Sequence, residues 1–270
     1  MVGIGDFIRK MKKSWKQNEI STYASSLAFF LFLSFLPLLL FISSLLPYTP
    51  VTAGEFTVFL EKLLPIGRGE WVQSLVKQVY HKAPGILSLS FFLSWWSLGK
   101  GMLALMRAFN RIYERKENRG YVRLRIVASI YTLIFILLLL FTLCFGVFGR
   151  LFFQLLLQNM ASYREILLLL EKIRELVILL FLLVFFLGIY TLIPEKRRKI
   201  RSQFKGAVAA TFFWVLFSYG FSLYVKELRP FTGYGTLGTV LVFLLWLYFC
   251  SCIVLMGAIV NIIDRNKWKY

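Results

Sequence analysis

Long uncharged apolar blocks alternate along this chain with short segments rich in lysine and arginine. A helix needs about 20 apolar residues to cross a hydrocarbon layer about 30 Å thick, and six blocks reach that length. Because the blocks are continuously apolar rather than alternating, the pattern predicts an all-α integral membrane protein with six transmembrane helices. The six predicted spans are Tyr23–Leu46, Gly85–Ala108, Ile126–Gly149, Ile173–Ile193, Phe204–Val225 and Thr236–Ile262.

Positive charge is divided unequally between the two sets of connections. The N-terminal segment, the second and fourth connections and the C-terminal tail hold 21 of the 32 lysines and arginines, the other connections hold ten, and Lys100 lies within a span. Basic residues of short loops stay in the cytoplasm. Both termini are therefore predicted to be cytoplasmic. Residues 1–22 form a basic segment, 23–264 the six-helix domain and 265–270 the tail.

Three polar regions carry apolar residues in helical patterns. The N-terminal segment predicts a basic amphipathic helix that lies on the anionic inner leaflet or, alternatively, packs on its own protein. The outer connection at 48–83 predicts an amphipathic hairpin on the outer interface. Around 150–172 the third and fourth spans are expected to continue past the bilayer as a helical hairpin. The apolar positions of the N-terminal helix are Ile4, Phe7, Ile8, Met11 and Trp15.

Composition agrees with a membrane protein. The chain is 59% hydrophobic and 17% charged, whereas soluble domains have about 45–50% apolar and about 25% charged residues. The net charge of +19 is interpreted as a topology signal and as contact with lipid, because few aromatics flank the basic runs to stack on nucleic acid bases. The expected partners are membrane lipids and anionic inner-leaflet headgroups. A homo-oligomer is an open alternative, and no nucleic acid is expected.

Groups suited to catalysis are sparse. The chain has one histidine, and its 13 acidic residues lie in connections or at helix ends rather than in the apolar cores. No metal-ligand cluster, phosphate loop or nucleophile elbow is visible in the sequence. The prediction is therefore a protein that is not an enzyme and that has no cofactor, no metal and no catalytic residues.

Lys100 is the sharpest single feature because it lies inside the second predicted span. If Arg107 marks the inner interface, Lys100 is about 10 Å deep by helical rise, where an unpaired lysine costs roughly 2.5–3.5 kcal/mol. One interpretation is that its stem extends to the headgroups. The other is an anion site for a phosphate or lipid headgroup, with further substrate contacts from Ser34, Asn110 and Tyr234. Asn110 has the alternative role of bridging helix ends.

Small residues and one proline are predicted to shape the helix contacts. Small side chains let membrane helices approach closely, and Pro37 is expected to kink the first span by removing a backbone hydrogen bond. The glycines predicted at helix contacts are Gly99, Gly101, Gly206, Gly235, Gly238 and Gly257.

Several stretches occur in a characteristic order along the chain. They are Ala24–Phe30 with Leu33, Ser34 and Pro37, Trp96–Ser97 with Gly99–Gly101, Ala108–Tyr113, Pro194, Lys205–Ala207, Tyr234–Gly238, Trp246–Tyr248 and Gly257–Ala258 with Asn261. Taken together, these stretches resemble the YihY/BrkB family of bacterial inner-membrane proteins, once labelled ribonuclease BN. The resemblance implies a six-helix protein of the bacterial cytoplasmic membrane. It also implies links to serum resistance and to envelope lipid or lipopolysaccharide handling, and it brings no catalytic residues.

Three functions follow as hypotheses. The first is transport or translocation of an anionic or amphiphilic, lipid-like substrate in envelope biogenesis, through a seam between the first, second, fifth and sixth spans. The second is a non-transporting membrane scaffold or assembly factor. The third is a membrane enzyme, including the ribonuclease of the family label.

Overall fold

The chain is helical throughout the part that the structure, a computed structural model, describes. That part comprises residues 4–45, 84–114, 120–138, 164–196, 198–228 and 236–265, with the single residues 54, 57 and 140. It contains no β-strand, as the sequence predicts. The helices are α1 (Ile4–Gln17), α2 (Ile20–Leu45), α3 (Pro84–Ile112), α4 (Tyr121–Leu138), α5 (Arg164–Leu192), α6 (Ile200–Leu228) and α7 (Thr236–Arg265).

Several predictions concern segments outside these residues. The hairpin expected within 48–83, most of the extension expected at 150–172 and most of the tail at 265–270 lie outside the described part of the chain. At the edge of that extension, α5 already begins at Arg164, nine residues before the predicted start of the fourth span at Ile173.

Four helices of the described part are long and apolar enough to cross a membrane. They confirm a multi-pass membrane protein, while the count of six spans stays a prediction. In α5 the apolar stretch that the structure describes is the shorter segment Leu176–Leu192. In α3, 29 residues long, Lys100 and several serines interrupt the apolar sequence. The four membrane-length segments are Ile20–Leu45, Tyr121–Leu138, Ile200–Val225 and Val240–Ile263.

Helix α7 is the centre of the bundle. Half of the residues in its apolar segment are buried, against 17% in α6, because α7 contacts α1, α2, α3 and α6. The most extensive pairing is between α2 and α3, and α5 packs on α6. The main core is built from large apolar side chains of these helices, among them Phe109, Phe186 and Leu255, which are fully buried.

Helix α1 packs on its own protein, the second of the two arrangements open from the sequence. Phe7, Met11 and Trp15 lie against the main core, and the exposed side of the helix carries its basic residues. The turn to α2 has Glu19 at a φ of 53°, a left-handed conformation that ends one helix before the next begins. Helix α2 starts at Ile20, three residues before the predicted span.

Candidate functional site

Lys100 lies on an exposed face of α3. Its side chain is solvent-accessible, and Nζ lies 5.7 Å from the centre of the Phe30 ring on α2. Trp96 precedes Lys100 by four residues and Arg107 follows it by seven, a spacing that places all three on one face of a helix. Trp96 is 61% exposed, and Arg107 is exposed. This face carries an indole and two cations, and we call it the α3 outer face.

Arg125 of α4 adds a third cation to the α3 outer face. The central carbon of its guanidinium lies 4.4 Å from the centre of the Trp96 ring, and its Nη2 donates to the Trp96 carbonyl oxygen over 3.4 Å. A Cβ atom on Gly99 would lie 3.6 Å from the guanidinium nitrogens, so this glycine leaves room for the arginine. Arg125 therefore lies beside the α3 turn that ends at Lys100.

Neither Lys100 nor Arg125 is neutralised by a carboxylate of the described residues. In that part of the chain no carboxylate lies within 4.0 Å of Lys100 or of Arg125, whereas Arg9 pairs with Asp6 and Arg111 pairs with Glu19. An arginine has five N–H donors, and Arg125 uses one of them in a long hydrogen bond. Donors remain for an anion.

Of the other predicted substrate contacts, Ser34 and Asn110 are buried and form hydrogen bonds within the protein. Ser34 is buried, and its hydroxyl donates to the Leu31 carbonyl oxygen of its own helix at 2.8 Å. Asn110 is buried ten residues further along α3, about 15 Å by helical rise. Its Oδ1 accepts the Glu195 N–H at 2.9 Å. Tyr234 lies outside the described residues.

At the level of Phe109, buried side chains occupy the seam predicted between the first, second, fifth and sixth spans. Leu27 of α2, Phe109 of α3, Ala207 of α6 and Leu255 of α7 are buried in one core cluster. Lys100 is exposed and so lies outside this seam.

A buried polar contact joins the ends of α3 and α6 at the basic end of the bundle. The Tyr113 hydroxyl donates to Gln203 Oε1 at 2.6 Å, and the Arg198 guanidinium carbon lies 4.7 Å from the Tyr113 ring centre. Burial raises the pKa of Tyr113 well above its usual value, although the nearby Asn261 side chain and the charge of Arg198 act in the opposite direction. The hydroxyl therefore stays protonated at neutral pH and can donate.

Two glycines allow α5, α6 and α7 to meet next to this contact. Asn261 Oδ1 accepts the Gly206 N–H at 2.6 Å, and a Cβ atom on Gly206 would overlap the Gly257 carbonyl oxygen and the Asn261 side chain. A Cβ atom on Gly257 would overlap the Tyr190 hydroxyl. That hydroxyl donates to the Val254 carbonyl oxygen at 2.8 Å. Only glycine, which has no side chain beyond a hydrogen atom, fits at these two positions.

The remaining residues predicted at helix contacts vary in their surroundings. A Cβ atom on Gly101 would be 3.5 Å from Phe30 Cβ, an ordinary contact. Gly238 is buried, and Gly235 lies outside the described residues. Pro37 is within α2, which stays helical on both sides of it, and the kink remains a prediction.

An apolar groove lies on another side of the bundle. It has a volume of about 440 Å³, and α6 and α7 form its walls, with Trp15 of α1 among its lining residues. Phe213, Tyr248 and Met256 also line it, and Lys100 does not. Among the described residues, no three His, Cys, Asp or Glu side chains lie close enough together to hold a metal ion.

Sequence reasoning assigned Arg125 to a cytoplasmic connection and gave no role to Gln203 or Tyr190. Charge counting does not show that a long arginine side chain can lie back along a neighbouring helix. Gln203 carried a usable signal, because an amide close to the start of an apolar span needs a buried partner. Tyr190 carried less, since an aromatic residue near a helix end is also typical of the membrane interface.

Comparison with known proteins places the chain in a family. A family model described as virulence factor BrkB matches residues 11–269. The ribonuclease-like protein YfkH of Bacillus subtilis is 28% identical over 265 residues, 97% of this chain and 96% of YfkH. A UPF0761 membrane protein of Haemophilus influenzae is 27% identical over 274 residues, 96% of this chain and 94% of that protein. No solved structure matches. The chain therefore belongs to the BrkB virulence factor family.

Proposed function

We propose that this protein moves an anionic, lipid-like amphiphile across or within the bacterial cytoplasmic membrane. In this proposal it has six spans, cytoplasmic termini and no enzymatic activity. The observation that carries the proposal is the exposed ammonium of Lys100, which no carboxylate of the described residues neutralises and beside which Arg125 lies on Trp96. Cations held within a span mark substrate pathways in membrane proteins.

The depth of Lys100 supports a functional role over extension to the headgroups. Its Nζ lies at the level of the Phe30 ring, and Phe30 follows the predicted start of the first span by seven residues, about 10 Å of helix. Side chains on a helix lean toward its N-terminus. In the proposed orientation α3 runs toward the cytoplasm, so this lean directs Lys100 away from the cytoplasmic headgroups.

The route that these positions support runs along the outside of the bundle. The core between α2, α3, α6 and α7 is filled, whereas Trp96, Lys100 and Arg107 are exposed in a row along α3. A lipid headgroup that moves along this row binds one cation after another. The acyl chains of the same lipid remain in the surrounding bilayer. The protein then lowers the cost of taking a charged group below the interface without opening a pore.

The proposal is tested by reconstitution into liposomes that contain a fluorescent anionic phospholipid, with dithionite quenching to measure how much probe changes leaflet. We expect the wild-type protein to accelerate exchange and Lys100→Met to remove most of that acceleration. Lys10→Met, which neutralises an exposed lysine of α1, is the matched control and should behave as wild type. A Lys100→Met protein that is folded and fully active would contradict the proposal.

A scaffold function is the second candidate. It is favoured by the filled core and by the hydrogen bonds that fix the helix ends at the basic end. Its expected partners are anionic inner-leaflet lipids, other copies of the chain or envelope proteins. The same liposome experiment separates the two functions, because a scaffold gives no exchange above that of protein-free liposomes while Lys100→Met leaves its cellular function intact.

The name of YfkH suggests a further reaction to test, the cleavage of RNA. The sequence supports a non-enzymatic protein, because its single histidine and its acidic residues are scattered among connections and helix ends. Purified protein incubated with RNA and Mg²⁺ is expected to leave the RNA intact. Cleavage that a point substitution in this chain abolishes would overturn this part of the proposal.

A further inference from the structure

We propose that Lys100 and Arg125 together bind a lipid whose headgroup ends in a phosphate monoester, in preference to a phosphodiester lipid of equal chain length. This inference deepens the proposed function and rests on it for the membrane depth of the site. It assigns a binding role to a second cation, Arg125. It also names the chemical class of the headgroup.

The two cations lie next to the same turn of α3. Lys100 is on the α3 outer face, and Trp96, one turn earlier on that face, supports the Arg125 guanidinium at 4.4 Å. Gly99 lies between Trp96 and Lys100 in the sequence and has no side chain. A Cβ atom there would lie 3.6 Å from the Arg125 guanidinium nitrogens. Helices α3 and α4 thus supply one cation each beside this turn.

The donors of this patch suit a phosphate. The Trp96 ring and the backbone at Gly99 hold the Arg125 guanidinium in place, and one of its five N–H donors is used in the bond to the Trp96 carbonyl oxygen. A planar guanidinium can bond two phosphate oxygens at once, and an ammonium can bond a third as a point charge. A monoester presents three terminal oxygens, whereas a diester presents two.

Charge balance favours the monoester as well. A phosphate monoester carries about −1.5 to −2 at pH 7, while a diester carries about −1. Lys100 and Arg125 together carry +2, with no carboxylate of the described residues close by. Below the interface, where the dielectric constant is low, a residual charge is costly. The monoester leaves the smaller residual charge.

The rest of the α3 outer face matches the acyl chains of such a lipid. From Trp96 toward the N-terminus of α3 the face continues with Phe92 and Leu89, 58% and 63% exposed. In the opposite direction it continues with the exposed Arg107. The face is therefore apolar at one end and cationic at the other, with Lys100 between the two ends. An acidic lipid has the same division when its headgroup is directed toward the basic end of the bundle.

The test is native mass spectrometry of protein released from nanodiscs that contain equal amounts of dioleoyl phosphatidic acid and dioleoyl phosphatidylglycerol. The two lipids share their acyl chains and differ in the headgroup. We expect the wild-type protein to retain phosphatidic acid about tenfold more than phosphatidylglycerol. Lys100→Met and Arg125→Met should each remove most of that preference. Arg123→Met, which neutralises an exposed arginine on the same helix, is the matched control and should keep it.

Two further measurements make the result decisive. Arg125→Lys keeps the charge but loses the planar fork, and it should retain phosphatidic acid more weakly than wild type and more strongly than Arg125→Met. Inorganic phosphate added at millimolar concentration distinguishes a lipid site from a free-anion site. We expect it not to displace the lipid, and displacement at that concentration would overturn the assignment to a lipid.

Failure of this inference can be separated from failure of the proposed function. Equal retention of both lipids, together with lipid exchange that Lys100→Met abolishes, would overturn the monoester preference and leave translocation standing. Selective retention that depends on both cations, without any exchange in liposomes, would support the site and overturn translocation. A preference that Arg123→Met removes as strongly as Arg125→Met would show general electrostatic attraction and overturn the site.

Discussion

The bundle is held together differently in its two halves. At the basic end, side chains bond across helices: Tyr113 to Gln203, Asn110 to the Glu195 N–H and Asn261 to the Gly206 N–H. In the opposite half of α2 and α3, the buried hydroxyls of Ser34, Ser44 and Ser94 donate to carbonyl oxygens of their own helices. The contacts of α2 with α3 and α7 there are largely aromatic, and Trp95 donates one hydrogen bond from α3 to the Ser129 carbonyl oxygen of α4.

The aromatic half is a set of rings at van der Waals distance. Phe41 and Phe91 have ring centres 5.2 Å apart, and Phe35 and Phe243 have ring centres 4.7 Å apart. Ring contacts tolerate small sliding movements, whereas a buried amide that loses its partner is left unsatisfied. The basic half therefore specifies how the helices are aligned, and the aromatic half fills space. The following substitutions test that division, from the largest expected effect to the smallest.

Gly257→Val should have the largest effect. The new side chain would overlap the Tyr190 hydroxyl and the Gly206 carbonyl oxygen, and close-packed helices cannot accommodate it without moving apart. We expect loss of the monodisperse protein in detergent size-exclusion chromatography. Gly220→Val is the control, because a Cβ atom there has nothing within 4 Å. Equal behaviour of the two variants would contradict close packing at Gly257.

Asn261→Leu should come next. It removes the inter-helix hydrogen bond to the Gly206 N–H, which contributes about 0.5–1.5 kcal/mol. It also places two methyl groups against Gly206 in a tightly packed core, which adds to the cost. The measurement is the midpoint of thermal unfolding in detergent. Ser251→Ala on the same helix is the comparison, since its hydroxyl bonds the Leu247 carbonyl oxygen of α7 itself. We expect this variant to unfold at the wild-type temperature, and a larger shift for Ser251→Ala than for Asn261→Leu would refute the division.

Tyr113→Phe should cost about 1 kcal/mol, because it deletes one inter-helix hydrogen bond and keeps the ring. Ser94→Ala in the aromatic half, where the hydroxyl bonds the Phe91 carbonyl oxygen of its own helix, should cost less. Burial raises the pKa of Tyr113 above its ordinary 10.0. Wild-type protein should therefore lose stability relative to Tyr113→Phe as the pH rises above 10, since the unfolded tyrosine ionises first. Unfolding midpoints at pH 8 and pH 10.5 check both statements.

Glu19→Gln should have the smallest effect. Glu19 pairs with Arg111 at 2.6 Å, and both side chains are roughly half exposed, so the pair contributes about 0–1 kcal/mol and less at high salt. Unfolding midpoints at low salt and in 0.5 M NaCl should differ between wild type and variant only at low salt. A large shift that persists in high salt would mean that this pair is as important as the buried contacts.

The helices could be predicted from the sequence because a bilayer imposes a minimum length on each apolar run. Helix α2 begins within three residues of its predicted start, and the close approach at Gly206 involves a glycine that the sequence had marked for packing. The partners of polar groups could not be predicted. Whether Ser34 faces a substrate or its own helix depends on rotation about the helix axis, and apolar runs this uniform do not fix that rotation.

Only one of the two cations of the candidate site could be predicted from the sequence. Lys100 stands out because a charge within an apolar run is costly wherever it points. Arg125 does not stand out, since an arginine near the end of a span is ordinary, and its position on Trp96 results from how α3 and α4 cross. A site shared by two helices becomes visible only when their packing is known.

The most direct test of the account is a density map of the protein in nanodiscs that contain phosphatidic acid. We expect headgroup density in contact with Lys100 Nζ and the Arg125 guanidinium, with acyl density running along Phe92 and Leu89. A map in which either cation is paired with a carboxylate of this chain, or in which the α3 outer face has no ordered lipid while other faces do, would contradict it.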